Sequence, residues 1–232
     1  FYGEIALSKN GAVSTLNALQ LTPASYISFL VLYRYYDRRY QALFGNAFSQ
    51  GSTVQNEQGV YMGFQLTPIA RWKLSVYADL FRFPWLKYGI DAPSGGQEYM
   101  AQIDYTPSRN YSAYLRYKYR QKEKNGTFEN DNLLKINTCK QHRIRFQQVY
   151  NFSSPFIFKT SLDGILFDDP IKKLNKGIMI SQSIGWKPTT LPLQIDGYLA
   201  WFYTDDYNSR VSSYEKNILS VSYTHLTLPT NR

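Results

Sequence analysis

The residues of this chain that could do chemistry are mainly cations spaced two apart. Arg116, Lys118 and Arg120 alternate with tyrosines, and the basic run continues to Lys124. Cations interleaved with aromatic residues are typical of surfaces that bind nucleic acid. Successive residues of a strand, however, point to opposite faces, so these cations share one face and the tyrosines the other. We therefore interpret the run as a charged stripe on one face of a strand that leads into a solvated loop.

No combination of residues in the sequence indicates a catalytic, metal-binding or cofactor-binding site. His142 alternates with Ile144 and Phe146 on an apolar face near a strand end, where an interfacial role is expected rather than that of a base or metal ligand. Cys139 has no second cysteine with which to pair and lacks the surroundings of a nucleophile. The sequence offers no Ser-His-Asp arrangement. We expect no enzyme activity, no cofactor and no metal ion.

The composition restricts the class of protein that must position these side chains. The chain has 232 residues, of which 44% are hydrophobic, 17% aromatic and only 19% charged, with a net charge of +9. A disordered chain would have few aromatic residues and much charge. The longest run without a polar residue, with Tyr counted as apolar, is Gly197 to Tyr203, which is too short for a transmembrane helix. A β-rich chain remains, either soluble or in a membrane.

The clearest structural signal is alternation of apolar and polar residues with a period of two. In WKLSVYADL from Trp72 the apolar residues fall on one face and Lys73, Ser75 and Asp79 on the other, as in a strand. The segments 12–21 and 156–167 alternate less cleanly, so their registers stay open. A twelfth strand is expected to begin near Tyr214. The eleven predicted strands are roughly 1–8, 12–21, 26–36, 58–67, 72–82, 98–106, 111–120, 140–150, 156–167, 177–187 and 193–203.

Short and long connections alternate between these strands. Short turns, most of them marked by proline, are predicted at 22–25, 67–71, 106–110, 151–155 and 188–192. Longer polar loops are predicted at 37–57, 83–97, 121–139, 168–176 and 204–213. This order predicts an all-β, antiparallel up-and-down meander with short turns at one end and long loops at the other.

Such a meander, built from strands of nine or more residues, is typical of a transmembrane β-barrel. Lipid cannot satisfy backbone hydrogen bonds, so strands in a membrane close on each other with apolar side chains outward. We therefore expect an incomplete transmembrane β-barrel in the bilayer of the outer membrane. Its lumen would be lined by charged residues, and Arg143 and Arg145 with the basic run would favour anions. The predicted lumen residues are Lys73, Asp79, Glu98, Asp104, Arg116, Lys118, Arg120, Arg143, Arg145, Lys159, Asp163 and Asp196.

Tyrosines near the strand ends agree with this expectation, because membrane barrels carry aromatic girdles at both interfaces. These tyrosines are Tyr33, Tyr35, Tyr36, Tyr99, Tyr105, Tyr111, Tyr119, Tyr150 and Tyr203.

Two alternatives stay open. A soluble sandwich or ligand-binding β-barrel would turn the apolar faces inward, and alternation alone does not distinguish it. Soluble antiparallel proteins, however, rarely sustain so many long strands with long loops at one end only. A lipid-modifying barrel enzyme would need a Ser-His pair at the membrane boundary, for which His142 is the only candidate histidine outside the last residues of the chain.

Several long aromatic segments point to a family. LYRYYDRRYQALFGNAFSQGS, RWKLSVYADLFRFPWLKYGIDAPS and YMAQIDYTPSRNYSAYLRYKYRQKEKN resemble the C-terminal barrel of bacterial outer-membrane proteins that carry an N-terminal helix-hairpin-helix domain. The resemblance covers most of residues 1–219. We expect the chain to form a pore, a transport channel for an unknown solute, or a membrane anchor for a periplasmic helix-hairpin-helix domain. The resemblance supplies no active-site residue and assigns no nucleic-acid contact to this region.

The last residues of the chain resemble translated adapter DNA rather than part of a natural protein. SVSYTHLTLPT, from Ser220 to Thr230, resembles one reading frame of a common sequencing adapter. We therefore expect residues 220–232 to be an artefactual tail and 1–219 to be part of an outer-membrane barrel. Further strands are expected after Leu219, and a periplasmic segment before Phe1. Without the tail, which contains one Arg and no acid, the net charge of +9 becomes +8.

Overall fold

A computed structural model describes most of the chain, and the predictions for residues 220–232 and for a twelfth strand near Tyr214 lie outside the described residues. The described residues are 1–42, 47–127, 134–152, 155–170, 174–188 and 193–212.

The fold is all-β, as the alternation predicts. One 3₁₀ turn, Tyr207–Ser209, is the only helical element in the described part of the chain. No helix in the described ranges is long and apolar enough to cross a membrane. The strands are β1 (Tyr2–Leu7), β2 (Val13–Ala24), β3 (Ile27–Tyr36), β4 (Glu57–Leu66), β5 (Trp72–Phe83), β6 (Ser94–Ser108), β7 (Tyr111–Thr127), β8 (Leu134–Asn151), β9 (Phe156–Asp168), β10 (Asn175–Trp186) and β11 (Ile195–Thr204).

These strands form one sheet in sequence order, and every neighbouring pair is antiparallel. The predicted up-and-down meander is therefore confirmed. Within the described residues β1 pairs only with β2 and β11 only with β10, so the sheet is open rather than closed. The registers that the sequence left open are now defined, with Leu19 opposite Val31 in β3 and Leu162 opposite Phe146 in β8.

Three strands extend into segments that were predicted to be loops. The ladder between β7 and β8 continues through Gln121 opposite Lys140 and Glu123 opposite Thr138, so most of the predicted loop 121–139 is strand. Similarly, β6 begins at Ser94, inside the predicted loop 83–97. The prediction was wrong because it followed apolar alternation, whereas ladder hydrogen bonds join backbone groups and do not depend on apolar side chains.

The register divides the sheet into two faces, here called the apolar face and the polar face. One row across the apolar face contains Phe29, Phe64, Val76, Ala101 and Tyr117, each opposite the next on a neighbouring strand. The polar face is represented by the row Leu32, Tyr61, Asp79, Glu98 and Arg120.

The two faces of the sheet differ in burial. Phe29 and Val31 on the apolar face are exposed, whereas Arg34, Glu57 and Asp79 on the polar face are at most 1% exposed. Charged residues are almost never fully buried unless they are paired, and soluble cores are built mainly from apolar side chains. The polar face is therefore the more buried of the two, and it also holds buried apolar side chains such as Phe83, Ile165 and Met179.

Two segments cover the polar face. The connection between β3 and β4 lies across its β3–β7 side, where the Tyr36 hydroxyl donates to the Phe48 carbonyl oxygen at 2.8 Å. Tyr36 is thus buried inside and does not belong to an outer girdle. At the other side, residues 205–212 fold back over β9 and β10. A Cβ atom at Gly177 would lie 2.0 Å from the Ser209 carbonyl oxygen, so this close approach requires glycine.

Candidate functional site

The register places all twelve predicted lumen residues on the polar face, although it does not bring them together at one point. Lys73, Lys159 and Asp196 lie toward the end with the short connections. The placements follow from the pairs Lys73–Asp104, Asp79–Glu98, Glu98–Arg120, Gln102–Arg116, Lys118–Arg143, Arg116–Arg145, Arg145–Asp163, Val149–Lys159 and Gly185–Asp196.

The most buried group on this face is the Arg34 cluster, consisting of Arg34, Gln50, Glu57 and Asp79. The Arg34 Nε donates to Glu57 Oε1 at 2.6 Å, and its Nη1 and Nη2 donate to the two Asp79 carboxylate oxygens at 2.8 and 3.2 Å. One guanidinium therefore faces two carboxylates. A bidentate pair of this kind fixes geometry as well as charge.

The β3–β4 connection supplies the remaining donors of the Arg34 cluster. The Gln50 backbone N–H donates to both Glu57 oxygens at 2.9 Å, and Gln50 Nε2 donates to Asp79 Oδ2 at 2.8 Å. Gly51 N–H adds a bond of 3.0 Å to Glu57 Oε2. The carboxylates are thus satisfied without a second cation, and the connection is held against the polar face.

A glycine on the neighbouring strand leaves room for the Arg34 guanidinium. Gly59 lies opposite Arg34 in the β3–β4 ladder, and a Cβ atom there would lie 2.7 Å from Arg34 Cζ. Any larger residue would displace the guanidinium from its two carboxylates. The local sequence Glu57-Gln58-Gly59 thus provides both a partner and the space for the arginine.

A second group, the Glu98 cluster, continues the network onto β7. Glu98 accepts from Lys118 Nζ at 2.8 Å and from the Tyr77 hydroxyl at 2.7 Å, and Arg120 Nε lies 3.3 Å from its other oxygen. Arg120 Nη2 also donates to Gln50 Oε1 at 2.9 Å. Gln50 therefore joins the two clusters.

The other charged residues form smaller contacts. Arg145 Nε donates to Asp163 across the β8–β9 ladder. Arg116 Nε donates to Gln102 Oε1 at 2.6 Å, and Gln102 Nε2 donates to Asp104 Oδ1 at 2.7 Å. The charges on this face are thus organised as separate groups along the strands.

Sequence reasoning missed four members of these clusters, namely Arg34, Gln50, Glu57 and Tyr77. A signal for Arg34 was present, because it alternates with Leu32 and Tyr36 inside an otherwise aromatic segment. Gln50 and Glu57 lie in or at the end of the predicted loop 37–57, where nothing in the sequence distinguishes them from solvated polar residues.

The apolar face has a band free of charge whose width is similar in most strands. It runs from Trp72 to Leu80 in β5, from Tyr111 to Tyr119 in β7 and from His142 to Tyr150 in β8. Nine residues of strand span about 26 Å. Between the ends of this band, the described strands place no Asp, Glu, Lys or Arg on the apolar face.

Aromatic residues mark both edges of this band. At the end with the short connections, Trp72 and Tyr105 have ring centroids 4.4 Å apart, and Tyr111 and Tyr150 continue the row at 6.2 Å from each other. At the other end, Tyr99 and Tyr119 stack at 6.2 Å. Charged residues first appear on the apolar face at and beyond this second row, with Lys176 in the row itself and Arg82, Lys140 and Asp168 beyond it.

His142 belongs to the second aromatic row. Its Nδ1 lies 2.8 Å from the Tyr117 hydroxyl, and its ring lies 5.0 Å from the Tyr119 ring. Among the described residues its hydrogen-bond partner is thus a tyrosine and not a serine. This geometry gives no support to the alternative of a lipid-modifying enzyme that uses His142.

At the end of the sheet with the long loops, one residue in each of two connections has a pKa shifted from its ordinary value. Burial lowers the pKa of Lys87, whose Nζ lies 3.4 Å from the centroid of the Phe83 ring. Hydrogen bonds from the Tyr203 hydroxyl and the Lys176 backbone N–H lower the pKa of Asp205. Both contacts hold a connection against the end of the sheet.

No described group of three His, Cys, Asp or Glu side chains could hold a metal ion. Comparison of the chain with models of known protein families, with curated proteins and with solved structures finds no match.

Proposed function

We propose that this chain forms the membrane-embedded sheet of a bacterial outer-membrane β-barrel protein, with the apolar face against lipid and the polar face toward the interior. One observation carries the proposal. The apolar face is exposed over nine-residue spans between two aromatic rows, while the opposite face holds buried and paired charges.

The distribution of burial argues against the soluble alternative. A soluble sandwich buries its apolar face, and monomeric soluble proteins rarely expose a continuous apolar patch larger than a few hundred Å². Here Val31, Val76 and Ile144 are exposed on adjoining parts of one face that extends over the whole sheet. Lipid is the environment in which such a face is stable.

The dimensions of the apolar band favour the same environment. A transmembrane β-strand needs about 9–11 residues tilted at about 45°. The spans Trp72 to Leu80 and Tyr111 to Tyr119 have this length and begin or end at aromatic residues. Trp and Tyr are enriched at membrane interfaces because their rings are apolar while their N–H or O–H groups form hydrogen bonds.

Inside the barrel, the polar face supports a channel, because charged residues of both signs line it along several strands. A second role, anchoring a periplasmic domain, is favoured by a different observation. Gln50 and its connection occupy part of the polar face, as expected for a barrel with a filled interior. The resemblance to outer-membrane proteins with a helix-hairpin-helix domain agrees with this second role.

Quenching of tryptophan fluorescence by lipid tests membrane insertion. The chain has four Trp residues, so variants that retain one of them report on separate positions. Trp201 lies opposite Ile180 of β10, Ile180 lies opposite Leu162 of β9, and Leu162 lies opposite Phe146 of β8. Because Phe146 is midway between the ends of the apolar band in β8, Trp201 also lies at mid-band. Trp72 lies at the edge of the band and Trp85 in the β5–β6 connection. In vesicles of phosphatidylcholine brominated in mid-chain, we expect quenching in the order Trp201, Trp72, Trp85.

The Trp85-only variant is the matched control, because Trp85 is 52% exposed yet lies outside the strands. Equal quenching of Trp85 and Trp201, or no quenching of Trp201 in vesicles that contain folded protein, would contradict the proposal. Conductance across a planar bilayer then separates the two roles. Ion flow that charge reversal at Lys118 and Arg145 makes less anion-selective supports a channel, and an insulating inserted protein supports an anchor.

A further inference from the structure

A cavity of about 370 Å³ lies on the polar face, beside the region that the β3–β4 connection covers. It is formed by β7, β8, β9 and the segment that follows β11. Ligand sites typically have volumes of about 300–1,000 Å³. The residues that line it are Arg120, Lys122, Lys124, Cys139, Gln141, Arg143, Phe167, Tyr207, Asn208 and Arg210.

The charged residues that line this cavity, here called the cation cavity, are all of one sign. Five of the described lining residues are cations, and none of them is an acid. Arg120 Nε lies 3.3 Å from a carboxylate oxygen of Glu98, and Asp163, which is bound to Arg145, is a charged neighbour of Arg143. In the described part of the chain, Lys122, Arg143 and Arg210 form no ion pair. A concave surface lined by one sign of charge concentrates the electric field and attracts counter-ions.

Neutral contacts hold several of these cations in place. Lys122 Nζ donates to the Gln50 carbonyl oxygen at 3.2 Å, and Arg120 Nη2 donates to the Gln50 side chain at 2.9 Å. The Arg210 guanidinium lies 3.9 Å from the centroid of the Tyr207 ring. These contacts orient the cations without neutralising them. The cavity is therefore built to keep positive charge in a fixed arrangement.

Arg143 is the central residue of this arrangement. It lies opposite Lys118 and Ile165, on the polar face of the middle strand of the three. Its charged neighbours are three cations, Arg145, Arg120 and Arg210, and one carboxylate, that of Asp163. A guanidinium presents paired donors that match the oxygens of a carboxylate or phosphate. An anion in the cavity would supply the missing negative charge.

We infer that the cation cavity binds a small solute with several negative charges, carried by phosphate or carboxylate groups. The solute is free in water rather than a lipid headgroup, because the cavity opens on the polar face and the apolar face is the one that would meet lipid. The inference deepens the proposed function by naming the class of solute, and it rests on that function only for the setting in a membrane.

Titration calorimetry with inorganic pyrophosphate tests the site on the full chain, folded in micelles of a neutral detergent. We expect saturable binding of pyrophosphate by the wild type. Arg143→Gln and Lys122→Gln should each weaken the affinity at least tenfold, because each removes a charge-assisted contact. Arg210→Gln should also weaken it, and its place outside the strands leaves the sheet unaltered.

Arg116→Gln is the matched control. It removes one cation from the same face of the same strand, but Arg116 lies six residues from Lys122, about 20 Å along β7. Its affinity for pyrophosphate should stay within about twofold of the wild type, since the cavity keeps all of its cations. Circular dichroism verifies that each variant contains the β-sheet before titration.

Absence of saturable binding by the folded wild type would overturn the inference, as would an equal loss in Arg116→Gln. Competition by phosphatidylglycerol in mixed micelles would overturn the assignment to a free solute. The tryptophan quenching described above is independent of the cavity. Lost pyrophosphate binding with normal quenching would reject the site alone, whereas abnormal quenching with intact binding would reject the membrane setting alone.

Discussion

The two halves of the polar face deal with charge in opposite ways. In the Arg34 cluster on β3–β5, one guanidinium faces two carboxylates, and neutral amides complete the set of donors. In the cation cavity on β7–β9, five cations face no carboxylate among the described lining residues. Both halves belong to the same sheet and follow the same alternation. The difference teaches that alternation places charge on a face, while the pairing of those charges separates a structural cluster from a candidate binding site.

The boundary between the two halves is formed by one residue. Gln50 donates to Asp79 and Glu57 on one side, and its oxygens accept from Arg120 and Lys122 on the other. An amide has both donors and acceptors, so it satisfies groups of either sign. The β3–β4 connection therefore stabilises an acidic and a basic neighbourhood at once.

The largest expected effect is a loss of stability when the ion pairs of the Arg34 cluster are removed. Arg34→Met leaves Glu57 and Asp79 buried without their cation, and removing one partner of a buried ion pair costs about 3–5 kcal/mol. We expect a loss of this size in the free energy of unfolding, measured by guanidinium titration in detergent micelles.

The control for this change is Arg82→Met, which removes an exposed arginine on the apolar face that donates to Gln58 at 3.0 and 2.7 Å. Surface substitutions of this kind change stability by about 0.5 kcal/mol or less. A similar loss in both variants would show that burial of the Arg34 cluster contributes nothing to the difference between the halves.

A smaller effect is expected when the space for Arg34 is filled. In Gly59→Ala the new Cβ would lie 2.7 Å from Arg34 Cζ, which forces the guanidinium away from its partners. Overpacking of a filled interior costs about 1–3 kcal/mol. The same unfolding titration checks this value. Gly164→Ala is the control, because nothing lies within 4 Å of a Cβ atom there, and its stability should equal that of the wild type.

The smallest effect is expected in the cation cavity. Arg143→Gln removes a charge that has no ion-pair partner in the described chain, so repulsion within the cavity decreases. We expect the free energy of unfolding to stay within about 0.5 kcal/mol of the wild type or to rise. A loss as large as that for Arg34→Met would mean that Arg143 has a structural role, and the contrast between the two halves would fail.

The fold was predictable from the sequence because its strongest signal is local. Alternation in segments such as Trp72 to Leu80 reports directly which side chains share a face, so strand number and order followed from it. The ends of β6, β7 and β8 did not, because Gln121, Glu123 and Lys140 extend the ladder without any apolar pattern. Backbone hydrogen bonds continued where the side-chain signal had ended.

The candidate sites were predictable only in part, for a related reason. Alternation placed Arg120 and Arg143 on the polar face, but no pattern in the sequence indicated that Gln50 would reach Arg120, 70 residues away along the chain. The carboxylate partners of Arg34 likewise come from β4 and β5. Which charges are paired depends on such non-local contacts, and these exist only in the folded sheet.

The odd number of described strands has a consequence for closure. In the described meander of eleven antiparallel strands, the first and last strands, β1 and β11, point in the same direction. Direct closure of the described sheet, with β1 beside β11, would therefore make one parallel pair in an otherwise antiparallel barrel. A barrel in which every neighbouring pair is antiparallel needs an even number of strands, and the eleven described strands alone do not meet that condition.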